Sequence, residues 1–544
     1  MRKFIKNNKV HLLVLLGLII LNLVFFGFNL NNFFLSDDFD WLNITKNTKS
    51  LGDYFTGNYY GISGEGGAYR PIVNLVFWIN YKISGLNPLP FHLFSLVFHI
   101  GVCYLIYLLC LLIFEDSKEK NRIAILASVI FSILPNHSEP VIWIAAIGDP
   151  ICAFFYVLSL YLYLLFRKNN RLYFIIFSLL SFIIALLAKE MAVTLPLLIL
   201  VFEIFSCHEK KKLKMKSLFL DILPFWLLSF SYFIVRYRVI GLFFGYYARN
   251  TFIFNASKIY KMIISLITDL FFYGKIRVCL TDYFFINPLF FILLFILLFV
   301  LIFYFLKENK RQAVFLLVSY FILILPVIFL AMNNLSDEGE RYNYLPSVVF
   351  CILLSLILWQ IKSDKYLRNL IYIALAIYFA FFLINKNQTW AIASQITQKI
   401  VLHDFPQVVD INKDNEKLLF ISLPDKIEGA QVFGNGIKQA INLYYPNYKL
   451  DAQLAMAYVL ISRQNYNKQI LKWTTYPTGG YIAKTVDGKF WTTGYDRRET
   501  EDYVFELWNY NYNNYTSDTI RLIIKNDIFK ILIYNNGQLE ILNK

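Results

Sequence analysis

VHLLVLLGLIILNLVFFGFNL (residues 10–30) is an apolar run of the length a helix needs to cross a roughly 30 Å hydrocarbon layer, and SDDFDW (36–41) follows it closely. The run lacks a small-residue cleavage site, so it reads as an uncleaved first span and not as a signal peptide. Similar blocks recur near 89–114, 123–135, 150–166, 172–188, 191–206, 218–240, 289–306, 313–332, 344–361 and 369–385. They predict about eleven spans, with 123–135 short for one. Bulk composition agrees: of 544 residues, 58% are hydrophobic and 16% charged. The mean hydropathy is +0.51, whereas soluble domains are nearer a quarter charged.

The net charge of +15 raises the question of nucleic acid. Its placement answers it, because Lys and Arg sit largely in short loops between apolar blocks, where they act as orientation signals. No nucleic-acid partner is expected. With the N-terminus cytoplasmic, the inward segments are 1–9, 115–122, 167–171, 207–217, 307–312 and 362–368, and 207–217 alone carries five lysines. The outward segments are 31–88, 136–149, 241–288, 333–343 and everything beyond about 386. They collect most acids of the membrane region, Asp337 and Glu338 among them. The six cysteines fall in or beside apolar blocks with no metal-like spacing.

Two outward stretches are apolar on one face yet unsuited to spanning, Tyr69–Lys82 and 257–284; they predict interfacial or re-entrant helices. After residue 386 polar and apolar residues alternate in KLLFISL (417–423), GYIAKTVDGKFWTT (480–493), RLIIKN (521–526) and FKILIYNNGQLEIL (529–542). Asp487-Gly488 and Asn536-Gly537 read as hairpin turns, and Asn435–Tyr445 as a helix. The expected fold class is therefore a polytopic α-helical membrane protein of about eleven spans, N-terminus in and C-terminus out. It comprises a membrane module at 1–388, with outward loop 31–88, and a small extracytoplasmic α+β domain at 389–544.

The strongest chemical signal is Asp37-Asp38 directly after the first span. Adjacent carboxylates repel, and a cation, a metal or a proton must offset the cost. One of them suits the deprotonation of a hydroxyl; the alternative is a polar cap ending a membrane helix. PNHSEP (135–140) leads to Trp143 and Asp149, and Lys189-Glu190 interrupts apolar sequence between two spans. Such ionised groups near a membrane default to function, or else neutralise each other. Arg341, in DEGERY (337–342), offers a fork for a phosphate, or a partner for Glu340. His92 and His99 read as packing residues. Glycine-rich Ser63–Gly67 reads as a loop, and no nucleotide-binding loop or nucleophile elbow is found in a fitting context.

Five stretches in this order, namely the acidic motif, YRPIVNLVFWINYKISGLNPLPFHLFSLVFH (69–99), PNHSEPVIWIAAIGDP (135–150), LLAKEMAVTLPLLILVFE (186–203) and GERYNYLPS (339–347), resemble the C-type superfamily of integral membrane glycosyltransferases. The likeness spans roughly residues 1–390. It is strongest to protein O-mannosyltransferases, above all the transmembrane ones with tetratricopeptide tails; here that tail is replaced by the domain after 386. The resemblance implies a polyprenyl-phosphate sugar donor and inverting transfer to an extracytoplasmic acceptor hydroxyl, with Asp37 or Asp38 as general base. It further implies that Arg70, His137, Glu139, Asp149, Lys189, Glu190, Glu340 and Arg341 line the substrate cavity. The acceptor class stays open among glycan, glycolipid and protein. These residues identify no cofactor, and the paired carboxylates could hold a divalent metal ion. A transporter or flippase of lipid-linked sugars and an oligosaccharide polymerase or ligase are the competing readings. A transporter would favour internal repeats, which are not found. The expected location is the bacterial inner (plasma) membrane.

Overall fold

The computed structural model describes residues 2–57, 68–206, 215–241, 256–306, 309–328, 339–361, 365–410, 417–434, 436–447, 451–454, 457–460, 462–476, 480–491, 496–511, 516–525 and 529–542. The basic stretch at 207–214, the glycine-rich Ser63–Gly67 and the acids Asp337 and Glu338 lie outside the described residues.

Each apolar block forms a helix over its described residues. Five helical stretches are long and apolar enough to cross a bilayer: Lys9–Asn29, Leu89–Ile113, Ile144–Asn169, Phe219–Ile240 and Tyr366–Val408. Two bent pairs bring the count to seven if each is one span. Lys120–Ile133 meets Pro135–Ile142 at 57°, and Gly274–Ile286 meets Pro288–Tyr304 at 109°. Proline explains the breaks, since it cannot donate a helical bond from an interior position and starts helices well. The short block at 123–135 is thus the first limb of a broken helix. Leu172–Ala188 and Pro346–Gln360 are apolar but shorter. The chain is a polytopic helical membrane protein with at least five candidate spans.

Local chemistry sets several helix ends. Pro71 opens the surface helix Pro71–Ser84, as the amphipathic reading of Tyr69–Lys82 expects, and Gly85 closes it at a φ of 58°. Asn170 ends Gly148–Asn169 in the left-handed conformation, its N–H bonding the Phe166 carbonyl at 2.7 Å. The second mixed stretch forms two helices, Ala256–Asp269 and Gly274–Ile286.

The C-terminal region holds three sheets. One orders Gln538–Ile541, Phe529–Asn535, Lys417–Phe420 and Asp451–Leu454, with Lys417–Phe420 parallel to both neighbours. A second, wholly antiparallel, joins Leu471–Tyr476, Gly480–Thr485, Thr519–Ile524, Tyr503–Trp508 and Arg497–Glu499. A third contains Leu423–Ile427, parallel to Ala457–Leu460. Asn536-Gly537 is a hairpin turn, both residues at positive φ as a type I′ turn requires. Asp487-Gly488 is not one. The strands flanking it belong to different sheets, and Asp487 accepts a 2.8 Å bond from Asn465. The helix Lys365–Lys399 runs without a break from the membrane region through residues 388 and 389 toward these sheets. One apolar core continues through both regions.

Candidate active site

The acidic motif sits at the start of the helix Asp38–Asn47, just past the first span. Its two adjacent carboxylates have different environments. Asp38 is 1% exposed. Its Oδ2 accepts the Leu35 N–H at 2.8 Å and its Oδ1 the Ala145 N–H at 2.6 Å. Burial pushes its carboxyl well above the usual range, while the two N–H groups pull the other way. Asp38 is therefore a staple between the acidic loop and the loop at 143–146. Asp37 is half-buried, and its Oδ1 lies 3.4 Å from the Ser36 hydroxyl. Asp40, also half-buried, is pushed up to about 7 by burial and by the negative charge of Asp37.

Around this motif the other predicted residues close a ring. Trp41 stacks on Phe77 of the surface helix, centroids 5.5 Å apart. At the start of that helix Arg70 grips Glu190 with two bonds, at 2.7 and 3.2 Å. Burial pushes Glu190 up, but Arg70 and Arg236 outweigh it and hold the carboxyl well below the usual range. Lys189 pairs with Asp149, both buried, and Asp149 lies in the first turn of its helix, where the dipole favours an anion. Burial lowers the ammonium of Lys189, opposed by Asp149 and Glu190 and reinforced by Arg70 and Arg341. Gly148 keeps the ring tight: a Cβ there would lie 3.1 Å from Val73 and 3.3 Å from the Ala188 carbonyl.

Arg341 binds Glu139 through its guanidinium and its backbone N–H, and lies 4.9 Å over the Trp143 ring. Trp143 starts the loop that Asp38 staples, so Arg341 and the acidic motif flank one short segment. Glu340 pairs with Lys386. Neither neutralisation within a dipeptide occurs: Lys189 and Glu190 find separate distant partners, and so do Glu340 and Arg341. His137 is fully buried, one ring nitrogen 2.7 Å from the Phe131 carbonyl and the other 2.8 Å from the Ser347 hydroxyl. It ties its loop to the helices Lys120–Ile133 and Pro346–Gln360. His92 and His99 are buried and bonded to the Asn32 carbonyl and the Tyr344 hydroxyl, as packing residues.

Arg236 is absent from the sequence reading. It is 1% exposed, bonds the Tyr232 hydroxyl at 3.2 Å, and its Nε has no hydrogen-bond partner among the described residues. In the sequence it looks like one more basic residue at the end of a span; only folding sets it beside Glu190. Among the described residues no three His, Cys, Asp or Glu side chains gather as a divalent cation requires. Both Asp38 oxygens already accept backbone N–H groups.

No family model matches the chain. Curated relatives include the human protein O-mannosyl-transferase TMTC4, 29% identical over 195 residues, which is 31% of this chain and 26% of that protein. Human TMTC2 is 30% identical over 189 residues, 32% of this chain and 22% of that protein. Part of this chain is similar to the TMTC proteins. The match spans about a quarter of their length, and it bears out the resemblance to C-type membrane glycosyltransferases. Among solved structures, the Archaeoglobus fulgidus oligosaccharyltransferase tethered to an acceptor peptide has a TM-score of 0.45 at 12% identity, covering 81% of this chain and 64% of that one. ArnT from Cupriavidus metallidurans bound to undecaprenyl phosphate scores 0.40 at 12% identity, covering 83% and 93%.

Proposed function

We propose that the chain is a glycosyltransferase that moves one sugar from a polyprenyl-phosphate carrier to the hydroxyl of an extracytoplasmic glycan, glycolipid or protein, with Asp37 as general base. The carrying observation is the asymmetry of the carboxylate pair. Both oxygens of Asp38 are spent on backbone N–H groups, whereas Asp37 is half-buried beside it. The names of the TMTC relatives support sugar transfer.

In this reading Asp37 takes the proton of the acceptor hydroxyl as its oxygen attacks the anomeric carbon. The bond from that carbon to the carrier phosphate breaks from the opposite face, so configuration inverts. Polyprenyl phosphate leaves with the electron pair. Arg341, fixed by Glu139 and Trp143, supplies preorganised positive charge for the departing phosphate. Arg236, beside Glu190 and with its Nε unbonded, adds a second cation on the wall that Arg70 and Glu190 form. Asp38 holds the loop, and the Lys189–Asp149 and Arg70–Glu190 pairs fix the opposite wall. The N-terminus is placed inside and the C-terminal sheets outside, in a bacterial plasma membrane.

The test is transfer by purified protein in lipid nanodiscs, using a panel of radiolabelled polyprenyl-phosphate sugars and a membrane glycan fraction as acceptor. One donor is consumed by wild type and not by Asp37→Asn; undiminished transfer by Asp37→Asn sinks the assignment. Labelled lipid crossing the bilayer without donor consumption favours a transporter instead.

A further inference from the structure

The acidic loop is held from two sides, and the second side is the C-terminal sheet region. Strand Leu423–Ile427 turns through Glu428 and Gly429, both at positive φ, into Ala430–Gln431. The chain then runs straight onto the acidic motif. The Ser36 N–H donates to the Val432 carbonyl at 2.9 Å. Phe39 stacks on Phe433, with centroids 6.0 Å apart and planes within 12°. Val432 and Phe433 are themselves fixed by bonds from their N–H groups to the carbonyls of Asp425 and Pro424, at 2.8 and 2.9 Å.

Two glycines permit the approach. A Cβ on Gly436 would lie 2.3 Å from the Ser36 carbonyl oxygen, and Gly436 stands at a φ of 86°. A Cβ on Gly434 would lie 2.4 Å from a carboxylate oxygen of Asp425 and 3.6 Å from the Ser36 hydroxyl. No side chain fits at either place without movement. Ser36 itself stands at a φ of 42°, a conformation rare for a residue with a Cβ and held only where the surroundings over-determine it. Here the surroundings are Val432 and Gly436 on one side and the Asp38 staple on the other.

We infer that the segment bearing Val432, Gly434 and Gly436 is a positioning element of the transfer site: it fixes the backbone of Ser36 and so aims the Asp37 carboxylate. This rests on the reading of Asp37 as the base. The sheet region is thereby part of the catalytic apparatus, not an appended tail. Catalytic geometry is sensitive at this scale, since a 1 Å misplacement can cost on the order of 100-fold in rate.

The experiment uses the full chain in nanodiscs and the variants Gly436→Ala, Gly85→Ala and Asp37→Asn. Gly85 also has positive φ but open space around it, so it controls for backbone strain alone. Two quantities are read: transfer kinetics, and deuterium uptake at the Ser36 amide, which needs no activity. Gly436→Ala is expected to speed exchange at Ser36 and leave exchange in the membrane helices unchanged. Its kcat should fall about tenfold or more, within the range of a small misplacement, with donor KM little altered. Gly85→Ala should match wild type in both. Unchanged Ser36 exchange in Gly436→Ala overturns the inference whatever the rate does. Faster exchange with an unchanged kcat also overturns it, because the contact would then be structural. Full transfer by Asp37→Asn defeats the base assignment instead, and is recognised separately from either result.

Discussion

The helix Gly148–Asn169 carries charge at both ends, and the two ends differ in kind. At the far end Arg167 reaches Glu203 at 2.8 Å and Asp221 at 2.9 Å, and the Tyr163 hydroxyl bonds Glu203 at 3.0 Å. That cluster ties together helices which the chain visits in turn, and each carboxylate there meets a cation. At the near end three ion pairs come from loops and helix starts and a fourth reaches Lys386 inside a long helix, and on the neighbouring acidic stretch stands the trio Asp37, Asp38 and Asp40. There burial, with the negative charge of Asp37 added to it, raises Asp40 to about 7. Charge near a membrane therefore does not mark a site by itself. The near end differs in holding three acids on one short stretch that backbone hydrogen bonds fix.

The contrast can be broken by mutation. Asp37→Asn should lower transfer by about a thousandfold, the scale of a lost general base, without loss of folded protein on size exclusion. Arg341→Lys keeps the charge but not the fork that holds Glu139. A fall in kcat of about tenfold is expected, smaller than loss of a full electrostatic donor, and steady-state kinetics reads it. At the other end Arg167→Ala should leave the turnover of folded protein near wild type while stability falls by about 3 kcal/mol, because Glu203 loses its main partner; thermal unfolding in detergent measures this. If Arg167→Ala silences transfer in folded protein, the two ends are not functionally distinct.

The smallest effect concerns pH. The folded-state pKa of Asp40 lies above its unfolded value, so the folded state binds the extra proton between about 4 and 7. Stability should decline as pH rises through that window and level off above it. Asp40→Asn should flatten the slope in a pH series of melting curves. A slope unchanged in that variant would assign it to another group.

Much of the membrane region was legible because its signal is local. Twenty apolar residues in a row admit few structures other than a helix. The residues of the ring were legible for the same reason, each being a charge misplaced among apolar neighbours. Their pairings were not. Glu139 meets Arg341, and Arg70 meets Glu190, across more than a hundred residues of chain. Nothing in SDDFDW separates Asp37 from Asp38; the N–H of Ala145 does that. Asp487-Gly488 has the composition of a hairpin turn but joins two sheets, since turn chemistry fixes a local reversal and not the partner of the next strand. The contact of Gly436 with Ser36 had no local signal at all.

The helix Lys365–Lys399 has 35 residues, a length of about 52 Å at 1.5 Å per residue, well beyond the roughly 30 Å of the hydrocarbon layer. Asn387 near its middle bonds Asn29, Phe25 and Ser138, and Ser394 bonds the backbone of Phe33. It passes beside the acidic loop and reaches the sheet region, where the Arg463 guanidinium donates to the Asn385 carbonyl at 3.1 Å. One unbroken helix therefore backs both the loop that carries Ser36 and the sheets that touch it, a shared support with no linker between them.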